Sequence, residues 1–202
     1  TNSLIYGWLW KRAPNYFDVV AYTGNGTAGR TVSHNLGVAP EMMWVKRRDS
    51  TGNWIVYTEP TGNTDFGRLN QSNDFVTSSV PWNNTSPTSS VFTVGGSAAD
   101  FSVNNSGADY IAYLFASLDG ISKVVSYTGN GSSQTIDCGF TSGARFVLIK
   151  NTDTDGLMAG WAVFDTERGI VSGNDSLLYL NTTAAENTSY DLVDPSNGGV
   201  IV

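Results

Sequence analysis

The chain has 202 residues, 40% of them hydrophobic and 12% aromatic, enough apolar surface for one large core or two ordinary ones. Charged residues make up only 14%, against roughly a quarter of an average domain, so the surface must rely on uncharged polar groups. A net charge of -7 argues against a partner made of nucleic-acid phosphates, the single Cys138 rules out an intrachain disulfide, and no apolar run approaches the roughly 18 residues of a membrane span.

Apolar and aromatic residues fall in short runs bounded by Gly, Asn, Asp, Ser or Pro, which is the pattern of strands and turns. In chain order the expected strands are residues 4–10, 16–22, 30–33, 42–46, 54–57, 68–69, 91–94, 110–116, 123–127, 135–138, 145–150, 161–165, 176–180 and 200–202. Residues 42–46 and 146–150 lack a polar face until their closing lysines, as expected of central strands covered on both sides. The fold class that follows is all-β, with antiparallel β-sandwich units of jelly-roll-like or Greek-key wiring.

Val19-Val20-Ala21-Tyr22-Thr23-Gly24-Asn25-Gly26 returns 105 residues later as Val124-Val125-Ser126-Tyr127-Thr128-Gly129-Asn130-Gly131. Trp8-Leu9-Trp10 matches Tyr113-Leu114-Phe115 at the same offset, and Trp54-Ile55-Val56-Tyr57 matches Trp161-Ala162-Val163-Phe164 with a small shift. Two tandem units are therefore expected, residues 1–116 and 117–202, joined near Ser117-Leu118-Asp119-Gly120. The second copy has no counterpart of residues 110–116, while residues 5–10 read as a final strand with no unit before it. Either the chain is a section of a longer array, or residues 1–12 serve as the terminal strand of another unit, in the same chain or a partner.

Gly24-Asn25-Gly26 and Gly129-Asn130-Gly131 read as tight turns; neither is followed by the Lys-Ser/Thr and helix of a phosphate loop. Six of the eleven Lys and Arg lie in residues 1–50 against three acids, and Lys46-Arg47-Arg48 reads as a solvated strand end answered by Asp49. Cys138 reads as a structural thiol, since no His lies in its copy. His34, the single imidazole, does not make a metal site, and Asn151-Thr152-Asp153-Thr154-Asp155-Gly156 lacks the distal bidentate acid of a calcium loop. No catalytic residues, metal or cofactor are expected. Among the acids Glu59, Asp65, Asp74, Asp100, Asp165 and Glu167, nothing in the spacing selects a pair for glycoside hydrolysis, and Arg168 beside Asp165 suggests an ion pair at a strand end. Trp54 and Trp161, at matched positions, are assigned to the two cores. Trp82 lies in the loop Val80-Pro81-Trp82-Asn83-Asn84; exposed, its ring flanked by Asn83 and Asn84 would suit stacking on a sugar, and folded back it would simply pack on its own sandwich.

Val32-Ser33-His34-Asn35-Leu36-Gly37-Val38-Ala39-Pro40-Glu41, continuing through Met42 to Asp49 and Trp54-Ile55-Val56-Tyr57, resembles a repeat module of tail-fibre and virion structural proteins of tailed bacteriophages, especially marine phages and cyanophages. Tyr127 to Gly131, Thr135 to Phe140, Arg145 to Lys150 and Trp161 to Gly169 resemble the same module. The resemblance implies a non-enzymatic virion protein at the phage tail or particle surface. Its implied role is a tail-fibre or fibre-like component for host attachment, homo-oligomeric and trimeric, contacting other virion proteins and a host surface glycan. A capsid or tail decoration protein without receptor binding is the alternative; a polysaccharide depolymerase ranks third.

Overall fold

A computed structural model describes residues 5–98, 101–152 and 159–202. All the regular structure among them, apart from one 3-10 turn at Glu59–Thr61, is β-strand. The first half contains β1 (Phe17–Thr23), β2 (Arg30–Ser33), β3 (Met42–Arg47), β4 (Trp54–Thr58), β5 (Asp65–Arg68), β6 (Val76–Thr77), β7 (Val91–Val94) and β8 (Asp109–Phe115). These form a six-stranded sheet in the order β1-β8-β3-β4-β5-β6 and a two-stranded sheet β2-β7, with every pair antiparallel. The second half contains β9 (Thr135–Asp137), β10 (Phe146–Ile149), β11 (Ala162–Asp165), β12 (Asp175–Tyr179), β13 (Asn187–Tyr190), β14 (Asp194–Ser196) and β15 (Gly199–Ile201). Its sheets are β10-β11-β12-β13 and β14-β15-β9. The pairing β3-β4-β5-β6 with β2-β7 is thus paralleled by β10-β11-β12-β13 with β9-β15.

Alternation along the strands sorts side chains into three apolar layers. Met43, Val45, Ile55, Tyr57, Tyr110, Ala112 and Leu114 point from the large sheet onto Val32, Phe92 and Val94 of β2-β7, making the first core. Ala162, Phe164 and Leu177, with Val147 and Ile149, meet Ile136 and Val200 to make the second. Residues on the opposite faces of both large sheets form the third: Trp44, Val56, Trp54, Tyr113 and Phe115 from the first half, with Trp161, Leu148 and Leu180 from the second. The molecule is therefore two sandwiches packed back to back. Trp161 closes the seam, its indole N–H donating to the Arg68 carbonyl at 2.8 Å and its ring 6.2 Å from that of Phe75. Trp54 and Trp161 thus belong to this seam rather than to the separate cores.

Two expected strands are absent. Residues 5–10 and 123–127 adopt no strand, and β10, expected to be central, lies at the edge of its sheet and is half-buried throughout. β3 is central as expected, between β8 and β4.

The first Gly-Asn-Gly is a turn held by Asn104, which is fully buried. Its side-chain oxygen accepts from the Asn25 N–H at 2.9 Å, and its NH2 donates to the carbonyls of Thr27 (2.8 Å) and Gly95 (2.9 Å). A Cβ on Gly24 would lie 2.1 Å from the Asn105 carbonyl oxygen, so only glycine fits there. The second copy keeps the local turn, with the Ser132 N–H bonded to Asn130 Oδ1 as Thr27 N–H is to Asn25 Oδ1, but a Cβ on Gly129 would meet nothing within 4 Å.

Because Trp161 fills the seam, Trp161→Ala should cost about 3–5 kcal/mol, the usual range for a buried Trp truncated to Ala. Calorimetry should then resolve two unfolding transitions where the parent chain shows one, since the coupling between sandwiches is what the variant removes.

Candidate functional site

An open groove of about 890 Å³ lies where the start of β3, the end of β4 and the residues following β8 converge. One wall is Val38, Ala39, Pro40 and Glu41; the other is Glu59, Gly62, Asn63 and Thr64 with Ser86 and Pro87, and Ser117, Lys123 and Val124 close one end. The wall geometry follows from local bonds. The Glu59 N–H donates to the Glu41 carbonyl at 2.7 Å, tying the two walls at their base. Pro60 sits in the first turn of the 3-10 segment, and Gly62 ends it at φ 82°, a conformation glycine adopts without steric cost. Asn63 donates to the Ser86 hydroxyl at 2.8 Å, and Ser117 donates to the Glu41 carboxylate while receiving the Val124 N–H at 3.1 Å. Tyr57 lies beneath, its hydroxyl raised above the ordinary tyrosine value by burial and by the nearby Glu59, and it hydrogen-bonds Ser86. The exposed chemistry is thus amide, hydroxyl and carboxylate with one lysine, a set suited to multiple hydrogen bonds with a polyhydroxylated ligand.

Trp82 is not an exposed ring. It is 1% exposed, its indole N–H donates to the Asp65 carbonyl at 3.1 Å, and its ring meets Tyr57 edge-on at 5.7 Å. Of the two alternatives for this loop the ring takes the folded-back one, so the stacking platform is not formed: a Trp has both a large apolar face and one N–H, and here the core satisfies both. Asn83 and Asn84 are exposed in left-handed conformation, φ 52° and 50°, so the turn they make folds Trp82 inward and sends Ser86 and Pro87 along the groove wall. None of the three residues lines the groove.

The other candidates have structural partners. Asp165 accepts from Arg168 Nε at 2.7 Å, from the Arg168 N–H and from the Trp8 indole, and these bonds outweigh its burial to hold its carboxyl below the ordinary range. A carboxylate so held stays ionised and does not serve as a general acid near neutrality. It shares a smaller hollow of about 350 Å³ with Glu167, next to Trp8 and Trp10. Of these acids, Glu59 alone among the described residues lines the larger groove, beside Glu41, which sequence reasoning passed over. Asp100 and positions 153–156 of the Asp/Asn-rich loop lie outside the described residues, and among those described no group of three or more His, Cys, Asp or Glu is arranged to hold a metal. Cys138 is half-buried, its thiol shifted up by burial and by Asp137. Arg47 pairs with Asp49 at 2.6 Å, as expected of a strand end.

His34 is buried in the loop after β2. Its Nδ1 accepts the Leu36 N–H at 3.2 Å and its Nε2 lies 3.1 Å from the Thr88 carbonyl, so the neutral ring carries its proton on Nε2. Burial lowers its pKa, with the Thr88 carbonyl and Asp18 opposing.

A family described as a domain of unknown function, DUF7483, matches residues 12–200. The chain belongs to that family. The match runs across both sandwiches of this DUF7483 chain and includes the groove. No curated protein and no solved structure matches it. No helix among the described residues is long and apolar enough to cross a membrane. The groove residues Glu41, Asn63, Ser86 and Ser117 come from four separate connections, and no spacing in the sequence links them.

Trp82→Ala should destabilise the chain by about 3–5 kcal/mol in urea unfolding, because it empties a core site. For His34, the unfolded chain has the higher pKa, ordinarily about 6.5, and so binds the proton first on acidification. Its contribution to stability is full above about pH 6.5 and falls as the pH drops toward the lower folded value, so the urea midpoint should decline between pH 7.5 and 5.5 and decline less in His34→Gln.

Proposed function

We propose that this DUF7483 chain is a non-enzymatic structural and attachment module of a phage virion, a tail-fibre or fibre-like component whose groove between Glu41 and Asn63 takes a host surface glycan. The observation that carries the reading is the groove itself: an open concavity of about 890 Å³ lined by a carboxylate-bearing wall, an Asn-Ser pair and a lysine, on a scaffold with two apolar cores and a third seam. Sugars are bound by such planar amides and carboxylates on rigid walls, since each hydroxyl both donates and accepts. The resemblance of both copies to phage fibre repeats supports the virion location, and the weakly charged, Asn/Ser/Thr-rich surface suits a particle exterior. Homotrimeric assembly and contacts with other virion proteins belong to the same reading.

The decoration alternative draws on the apolar residues left exposed, Ile121, Val125 and Tyr127 near the joint and Val171 and Tyr190 in the second half, which would suit contacts with other particle proteins. The test is a glycan array probed with the labelled oligomer. Binding should appear for at least one surface polysaccharide fragment, and Asn63→Ala should weaken it about tenfold, the effect of losing roughly 1.4 kcal/mol of hydrogen bonding. Binding unchanged by Asn63→Ala and Glu59→Ala moves the ligand elsewhere; no binding to any glycan leaves the decoration role.

A further inference from the structure

β10 has the sequence of a central strand and the position of an edge strand. In the first sandwich the corresponding β3 is flanked on that side by β8, and β8 carries β1 beyond it. Among the described residues no strand lies on the outer side of β10, and residues 124–128, which repeat the sequence of β1, join no sheet. Tyr127 is consequently exposed where its counterpart Tyr22 is buried. An apolar edge left open invites pairing with any available strand, and natural sheets normally cover or charge such edges.

The chain holds a second segment with the pattern of β8. Residues 5–10, Ile-Tyr-Gly-Trp-Leu-Trp, align with Tyr110-Ile111-Ala112-Tyr113-Leu114-Phe115. That segment lies against β10 already: the Trp10 and Trp8 rings are 5.4 and 5.8 Å from that of Phe146, both edge to face. In the first sandwich Phe115 stands opposite Met42, whose counterpart is Phe146. Trp10 therefore touches the residue that the β8 register would place opposite it. The other face of the segment is out of place, with Ile5 86% and Leu9 97% exposed while Tyr110 and Leu114 are fully buried.

We propose that residues 5–10 are the closing strand of the second sandwich, docking antiparallel on the open edge of β10 in their own chain with Trp10 opposite Phe146, Leu9 opposite Val147 and Trp8 opposite Leu148. Leu9 then enters the second core as Leu114 enters the first. Intrachain supply follows from the tether: Trp10 also packs on Phe17 and Phe115, and Arg12 binds Asp18 at 2.6 Å, which holds the segment on the first sandwich within reach of β10. The strand so placed is shared, with its connection in one sandwich and its pairing in the other.

The test is disulfide trapping in the full chain with Cys138→Ser. Opposed residues of an antiparallel pair bring their Cβ atoms about 4.5–5.5 Å apart, near enough to bridge with a small adjustment. Leu9→Cys with Val147→Cys should give a reducible intrachain bond in the monomer band, and Ile5→Cys with Val147→Cys, four residues off register, should not. Interchain dimers would overturn the proposal by assigning the strand to a partner, and no bond in either pair would overturn it outright. Hydrogen exchange on the unmodified chain gives a reading free of substitutions. Amides in residues 5–10 and in β10 should be protected at least about 100-fold over an unstructured chain, as paired strands are; exchange of residues 5–10 at the unstructured rate would overturn the proposal.

Discussion

The seam between the two large sheets is the constraint on which the rest of the structure depends. A sheet in a simple sandwich buries one face, and its strands alternate apolar with polar. Here β3 must present Met43 and Val45 to one core and Trp44 to the seam, and β4 divides Ile55 and Tyr57 from Trp54 and Val56 in the same way. Both faces being covered leaves little strand surface for charge. Ionisable side chains are displaced to turns and strand ends, which accounts for a charged fraction of 14% in a chain that is 40% hydrophobic. At roughly 25 cal/mol per Å² of apolar surface removed from water, a seam built largely of Trp, Tyr and Phe is a major stabilising term, and it makes the two sandwiches one cooperative body.

Such a core leaves few positions for polar groups, and the buried Asp18, His34, Asn104, Asp165 and Asp175 are each tied to backbone. Asp18 accepts the N–H groups of Val19 and Asn35 and the guanidinium of Arg12, which together outweigh its burial and hold its carboxyl low. Arg168, its side chain 1% exposed, donates to the Val163 and Ser176 carbonyls as well as to Asp165, so the turn after β11 is fastened from three directions. Asp175 is tied to backbone through one oxygen, which takes the Leu192 and Val193 N–H groups at 2.8 Å, while its other oxygen has no partner; burial, with Asp191 and Asp194 nearby, raises its pKa against those two bonds. The direction of the shift is that of a carboxylate whose charged form is penalised by burial.

Strand existence was legible because each strand needs only its own alternation and flanking turns, and residues 30–33 and 91–94 match β2 and β7 residue for residue. What failed depended on partners distant in sequence. Val76–Thr77, Asn187–Tyr190 and Asp194–Ser196 carry too little apolar signal to stand out and become strands only because neighbours offer free hydrogen bonds. Trp82 was ambiguous for the same reason: a Pro/Asn loop says nothing about whether the ring folds in, and the deciding groups, the Asp65 carbonyl and the Tyr57 ring, come from strands up to 25 residues away. The groove was illegible outright, since its hydroxyls and amides are the residues every turn in this chain uses.

The burial of Trp82 bears on how the groove can work. With its ring wedged against Tyr57 and its N–H on β5, the loop leading to Ser86 and Pro87 is fixed at its base, while Asn83 and Asn84 form the free tip. Ser86 is then oriented by Asn63, and Glu41 by Ser117, before any ligand arrives. Under the proposed glycan reading, walls ordered in advance would lose little side-chain entropy on binding, and a few hydrogen bonds would then serve without an exposed aromatic platform. Specificity in such a site comes from whether a ligand's hydroxyls match the fixed donors and acceptors, because each mismatch leaves a polar group on the wall without a partner. An Asn and Ser rich surface on a doubly covered β scaffold is thus a means of presenting fixed hydrogen-bonding patterns with little net charge, and the pattern can be changed at the turns without disturbing the seam that holds the sheets together.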